Sequence, residues 1–197
     1  GLSRPEQREA VQWGGFVDGV DRFDPLFFNL SPREAELMDP QQRLFLEEAW
    51  HAFEDAGLSD VHLKGARCGV FIGAGQGDYS RHLPMDDPAQ VTGQLLLGNT
   101  ASILVSRIAY LLDLRGPAVA LDTACSSSLV AAEMGFRAIR EGSCDLALVG
   151  GVNLMTTPQM HVMTAASGML APDGRCRTFD DAASGFVPGE GVGLLVL

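Results

Sequence analysis

Cys125 is where residue types and spacing in this chain converge on nucleophilic chemistry. An apolar run, Ala118 to Leu121, stops at Asp122-Thr123. Ala124 and Cys125 follow, then Ser126, Ser127 and Ser128, then a helical pattern through Leu129, Val130, Met134, Ala138 and Ile139. That order predicts a strand, a sharp turn and a buried helix, with the thiol on the first helical turn. The N–H groups opening a helix carry about half a positive charge, which favours thiolate over thiol. The thiolate is the nucleophile, and the same N–H groups can hold the oxyanion formed when it attacks a carbonyl. Ala124, Ser126 and their small neighbours leave room for an acyl group, and Asp122 and Thr123 shape the turn. A lone cysteine is more often inert core filling. Here the turn position and the polar flank reverse that expectation.

The elements that must hold this turn are also readable. Ser31-Pro32-Arg33-Glu34 has the form of a capping box with proline at the first helical position. Asp39-Pro40 repeats that logic and opens a longer helix with an apolar stripe at Leu46, Ala49, Trp50 and Phe53, capped by Gly57. Cys68 to Ile72 reads as a short buried strand. The glycines from Gly73 to Gly77 lack the G-x-G-x-x-G spacing of a nucleotide loop, so a mobile turn is expected there. A helical pattern runs from Thr100 through Ile103, Leu104, Ile108, Leu111 and Leu112 and ends before Arg115-Gly116-Pro117. The nucleophile helix closes near Gly142, Leu146 to Val149 reads as another strand, and Gly191 to Leu197 as a last one. Residues 1–30 read as irregular, with Trp13, Phe16, Phe23, Phe27 and Phe28 packing over the domain. Strands alternating with helices predict an α/β layered sheet.

Composition narrows the function classes. The chain has 197 residues, 46% of them hydrophobic, enough for one domain-sized core. Its net charge of −11 fits a soluble protein and argues against nucleic-acid binding. No apolar run reaches the length of a membrane span, and no signal peptide opens the chain. The four cysteines, Cys68, Cys125, Cys144 and Cys176, form no C-x-x-C pair and have no histidine cluster nearby. This argues against a structural metal or a disulfide framework and for a reducing, cytoplasmic setting.

Asp122 to Ala131 (DTACSSSLVA) resembles the nucleophile motif of β-ketoacyl synthases, above all the ketosynthase domains of modular polyketide synthases. Phe23-Asp-Pro-Leu-Phe-Phe28, Met38-Asp-Pro-Gln-Gln-Arg43 and Glu54-Asp-Ala-Gly57 precede it in the order of that family. Asp145 to Asn153, Met169 to Asp180 and Gly189-Glu-Gly-Val-Gly193 follow it. The resemblance covers almost the whole chain. It implies a thiolase-like layered α/β fold of αβαβα architecture, of which residues 1–197 would be the N-terminal half, trimmed at its start. Asn153-Leu-Met155, Gly185 to Gly191 and Pro188, where many relatives carry arginine, are similar to ketosynthases whose acyltransferase acts in trans.

The resemblance further implies acyl transfer onto Cys125, then decarboxylative Claisen condensation with a malonyl-type thioester, in polyketide or fatty acid biosynthesis. Cys125 would contribute its backbone N–H to the oxyanion hole. No cofactor is implied; the phosphopantetheine arm of an acyl carrier protein would deliver the substrates. The partners implied are that carrier, the second half of the domain and a second copy in a homodimer. A carrier is itself acidic, so docking would need a local arginine patch, for which Arg4, Arg8, Arg22 and Arg33 are the candidates. The two catalytic histidines of the family lie in its second half, and neither of their motifs occurs here. His51, His62, His82 and His161 are therefore read as structural or surface residues. Met155, Met160, Met163 and Met169 could line an acyl tunnel but are read as ordinary core filling. Glu133 stands where relatives often have histidine and is read as neutral; Glu190 matches the family without a role that spacing reveals. The competing readings are a non-elongating domain that binds acyl carriers and another condensing enzyme of the same fold.

Overall fold

The computed structural model describes residues 12–83 and 92–197. The described residues form two compact units, residues 12–18 with 154–191, and residues 19–83 and 92–153 with 192–197.

The larger unit is built on a four-stranded sheet of order β2-β1-β3-β4, with β1 at Cys68–Ala74, β2 at Ala118–Leu121, β3 at Leu146–Asn153 and β4 at Gly191–Val196. Strand β1 runs parallel to β2, from Val70 opposite Ala118 to Gly73 opposite Leu121, and parallel to β3, from Cys68 opposite Leu146 to Ala74 opposite Val152. Every residue of β1 is buried, as befits a parallel strand covered on both faces. Its alternation sends Cys68, Val70, Ile72 and Ala74 into one core and Phe71 into the other.

The first core is filled by helix α2, Pro40–Asp55, and helix α5, Ala101–Leu111. From α2 come Phe45, Leu46, Ala49 and Phe53, and from α5 Leu104, Val105 and Ile108. The caps of α2 are as expected: Asp39 Oδ1 accepts the Gln41 N–H at 2.8 Å and Gly57 has φ +73°. Helix α1, Pro32–Leu37, is capped by Ser31, whose Oγ accepts the Glu34 N–H at 3.1 Å. The expected capping box forms only in that half. The Glu34 carboxylate turns instead to Arg107, 2.6 Å away in a half-buried ion pair.

The second core lies under helix α6, Ser127–Arg140, which follows β2. Here the expectation of a buried helix is corrected. Only Ala131, Gly135 and Ala138 are buried, while Leu129 is 75% and Phe136 55% exposed. A narrow stripe of small residues makes the closest approach to the sheet, with Met134 and Ile139 packed partly beside it. A methyl group on Gly135 would sit 2.4 Å from Val149 Cγ1, so β3 and α6 approach too closely for any side chain there.

Three short helices lack a readable apolar period and escape sequence reading: α3, Asp60–Leu63; α4, Gly93–Gly98; and α7, Gln159–Ala166 in the smaller unit. In that unit Gly15 bridges Gly189 and Leu170 bridges Phe186. Helix α7 turns His161 and Thr164 inward, and the His161 ring stacks on Phe16 at 6.0 Å. Three of the four methionines read as core filling do not fill a core: Met160, Met163 and Met169 are each about half exposed, and Met155 is partly buried. The expectation for the N-terminal aromatics divides. Phe28 is buried and stacks on Phe23, whereas Trp13, Phe16 and Phe27 are more than half exposed. No helix among the described residues is long and apolar enough to cross a membrane.

Candidate active site

Parallel pairing brings the C-terminal ends of β1 and β2 side by side, and both strands emerge at one edge of the sheet. In open α/β sheets that edge is where reactive groups collect. The chain leaves β2 at Leu121 and passes through the turn that carries Cys125. A 3-10 turn, Ala124–Ser126, comes first and runs directly into α6. Cys125 thus sits one step before the first α-helical turn, not on it as expected. The alanine ahead of it explains the shift, because Ala124 has φ +55°, a left-handed conformation in which a side chain is strained.

Short hydrogen bonds hold that strained residue. Asp122 Oδ1 accepts the Ala124 N–H at 2.9 Å. Ser127 Oγ accepts the Thr123 N–H at 2.8 Å and donates to the Ala124 carbonyl at 2.7 Å. Ser126 Oγ lies 2.9 Å from both the carbonyl oxygen and Oγ1 of Thr123. The four residues expected to support the turn, Asp122, Thr123, Ala124 and Ser126, are brought together, and Ser127 joins them. The end of β1 backs the arrangement: a methyl on Gly73 would lie 2.6 Å from Ser127 Cβ, so only glycine lets strand and turn meet. The Ser126 side chain caps none of the N–H groups that open α6.

The cysteines differ in kind. Cys125 is free and exposed. Burial pushes the Cys68 thiol up to about 11 and raises Cys144 as well, which makes both poor nucleophiles. Cys176 is exposed in the smaller unit, where its sulfur accepts the Val187 N–H at 3.2 Å and no helix follows it.

Each histidine has a structural or surface setting. His51 lies exposed 3.6 Å from Glu48 on α2, and His62 Nδ1 accepts the Ser59 N–H at 3.2 Å. The His82 ring lies 6.0 Å from that of Tyr79, and His161 is buried against Phe16. Glu133 is exposed and paired with Arg137. Glu190 has a role that its spacing concealed. Its two oxygens accept the N–H groups of Val17 at 3.0 Å and Met155 at 2.8 Å, knitting three segments of the smaller unit. Of the arginines considered for carrier docking, Arg22 is exposed and Arg33 pairs with Glu36 at 3.1 Å; Arg4 and Arg8 lie outside the described residues.

Residues 3–197 match the family model for the N-terminal domain of β-ketoacyl synthases. The chain belongs to the β-ketoacyl synthase family. It is 49% identical over 187 residues to polyketide synthase PksN of Bacillus subtilis, covering 95% of this chain and 3% of that protein. It is 52% identical over 188 residues to polyketide synthase GfsA of Streptomyces halstedii, covering 95% of this chain and 2% of that protein. Among solved structures, the ketosynthase from module 6 of the Bacillus subtilis bacillaene synthase, as a cysteine-to-serine variant, matches with a TM-score of 0.87 and 44% identity. That match covers 98% of this chain and 32% of the solved one. An oxazolomycin ketosynthase domain from Streptomyces albus matches with a TM-score of 0.85 and 42% identity, over 93% of this chain and 32% of its own. The fold is therefore the thiolase-like layered α/β fold of ketosynthases, and this chain spans about a third of the solved examples.

Proposed function

We propose that this chain is the nucleophile-bearing N-terminal part of a polyketide ketosynthase and that Cys125 accepts the growing acyl chain. The observation that carries this reading is an exposed thiol on a strained, hydrogen-bonded turn between a parallel strand and the start of α6. In the first step the Cys125 thiolate attacks the thioester carbonyl of an acyl-phosphopantetheine. A new carbon–sulfur bond forms, the old one breaks, and the carrier thiol leaves. The tetrahedral oxyanion is held by the Cys125 N–H together with a donor from outside this chain. In the second step a malonyl-type thioester loses carbon dioxide, and the resulting enolate carbon attacks the Cys125 thioester. The carbon–carbon bond forms as the Cys125 thiolate departs. Histidines beyond these residues steady the enolate and handle protons.

The phosphopantetheine arm enters as the carrier's cargo, and this chain's residues bind no cofactor of their own. The family, the Asn153-Leu-Met155 run and Pro188 support assembly lines whose acyltransferase acts in trans. The ketosynthase works as a homodimer, and its thiols fit a reducing cytoplasm, consistent with four free cysteines, two of them exposed. The test is condensation by the complete ketosynthase with acyl- and malonyl-loaded carrier. Cys125→Ala is expected to drop product to background, a loss of at least about a thousandfold, as for other nucleophile deletions. Undiminished product from that variant would refute the assignment.

A further inference from the structure

Asp39 does more in this fold than cap α2. It is 5% exposed, and the two oxygens of its carboxylate face different segments. Oδ1 accepts the Gln41 N–H at 2.8 Å and caps the helix. Oδ2 faces the loop that follows β1, so closely that a methyl on Gly77 would lie 1.9 Å from it. The Tyr79 backbone N–H bears on the same carboxylate. The rest of the loop is tied down around this point. Tyr79 O–H donates to the Glu36 carbonyl at 2.8 Å, the Arg43 guanidinium lies 5.7 Å from the Tyr79 ring centre, and Gln76 Nε2 donates to the Asn99 carbonyl at 2.8 Å. The near end of that loop runs beside the thiol turn: a methyl on Gly75 would come into ordinary van der Waals contact with Asp122 Oδ2, at 3.5 Å, and the other oxygen of Asp122 holds Ala124.

We infer that Asp39 is a positioning residue for Cys125: its second carboxylate oxygen fixes the 75–79 loop, and that loop braces Asp122 beneath the strained turn. This rests on the nucleophile reading proposed above.

The charge is held at a cost, and that separates this role from simple capping. Burial raises the Asp39 carboxyl and the nearby Asp78 adds to the rise; Arg43 and the N–H groups of Gln41 and Tyr79 only partly offset it. From the neighbouring helix α4 the contact is through backbone, with the Asp39 N–H donating to the Gly98 carbonyl at 2.9 Å. A carboxyl raised on folding adds stability at low pH that is lost as pH rises through its folded value. At neutral pH the ionised Asp39 is therefore a liability to stability. An asparagine would remove that cost and could still cap α2 with its oxygen, but its Nδ2 would present a donor to the N–H groups of the loop.

The experiment compares wild type with Asp39→Asn in the complete ketosynthase, following acylation of Cys125 by an acyl thioester from pH 8 down to the lowest pH at which both proteins stay folded. The variant is expected to keep or raise the melting temperature while its maximal acylation rate falls about tenfold, the scale of one hydrogen bond to a charged group. The wild-type to variant ratio cancels the titration of the thiol itself and should shrink toward one as pH falls through the Asp39 carboxyl. An equal rate at neutral pH, or a ratio that does not change with pH, overturns the role of Asp39 and leaves the nucleophile standing. Wild-type label appearing elsewhere than Cys125 overturns the nucleophile instead. Should the variant unfold, amide-exchange protection of residues 75–79 in the wild type decides: it should fall with acidification while the middle of α2 stays protected. Unchanged protection there contradicts the brace.

Discussion

The two faces of strand β1 are covered by very different means. On one, α2 and α5 lay down large side chains, with Phe45, Phe53, Leu46, Leu104 and Ile108 all nearly inaccessible. On the other, α6 offers Ala131, Gly135 and Ala138, and leaves Leu129 and Phe136 facing outward. The first face buries area and supplies stability in proportion to it. The second gives up area for proximity, because only small residues let α6, and the Cys125 turn leading into it, settle onto the ends of β1 and β3. One sheet thus carries a face for stability and a face for positioning.

Substitutions on the two faces should break this contrast in opposite ways. Phe45→Ala opens a cavity in the first core and is expected to cost about 3–5 kcal/mol, read as a shift of the denaturation midpoint, with little change in Cys125 reactivity per folded molecule. Gly135→Val overpacks against Val149 and is expected to cost only about 1–3 kcal/mol. It should nonetheless slow acylation of Cys125 more than Phe45→Ala does, because it displaces the helix behind the turn. If Phe45→Ala proves the more damaging to acylation of the folded protein, the division of labour between the faces fails.

A subtler effect separates the thiols. In the native protein Cys125 and Cys176 should react with iodoacetamide at neutral pH, while Cys68 and Cys144 stay unlabelled until denaturant is added. The raised Cys68 thiol stabilises the fold in its neutral form, and that contribution is lost as pH rises through about 11. Peptide mass mapping of the alkylated protein reads all four at once. Modification of Cys68 without unfolding would show that the first core is looser than its packing implies.

The first face was legible in the amino-acid sequence because large apolar residues at helical spacing leave a clear period. Leu46, Ala49 and Phe53, with proline and aspartate at the start and Gly57 at the end, announced α2 and its buried side. The second face was legible in its motif and only partly in its pattern. Of Leu129, Val130, Met134, Ala138 and Ile139, Ala138 is buried and Met134 and Ile139 pack partly against the second core. Leu129 faces outward, and the closest approach falls to Ala131 and Gly135, which have no strong hydrophobic signature. The 3-10 turn was invisible for a related reason. Nothing in Ala124 announces a positive φ, and the strain becomes apparent only once Asp122 and Ser127 are seen to hold it. Glu190 and the loop-facing oxygen of Asp39 depend on partners distant in sequence, which spacing cannot reveal.

The most direct test loads the complete ketosynthase with a short acyl thioester, digests it and maps the added mass. A single acyl adduct on the peptide containing Cys125, absent from Cys125→Ala and never found on Cys176, is the predicted result. Acyl mass retained in that variant, or residing on Cys176, would contradict the assignment of this turn as the seat of the chemistry.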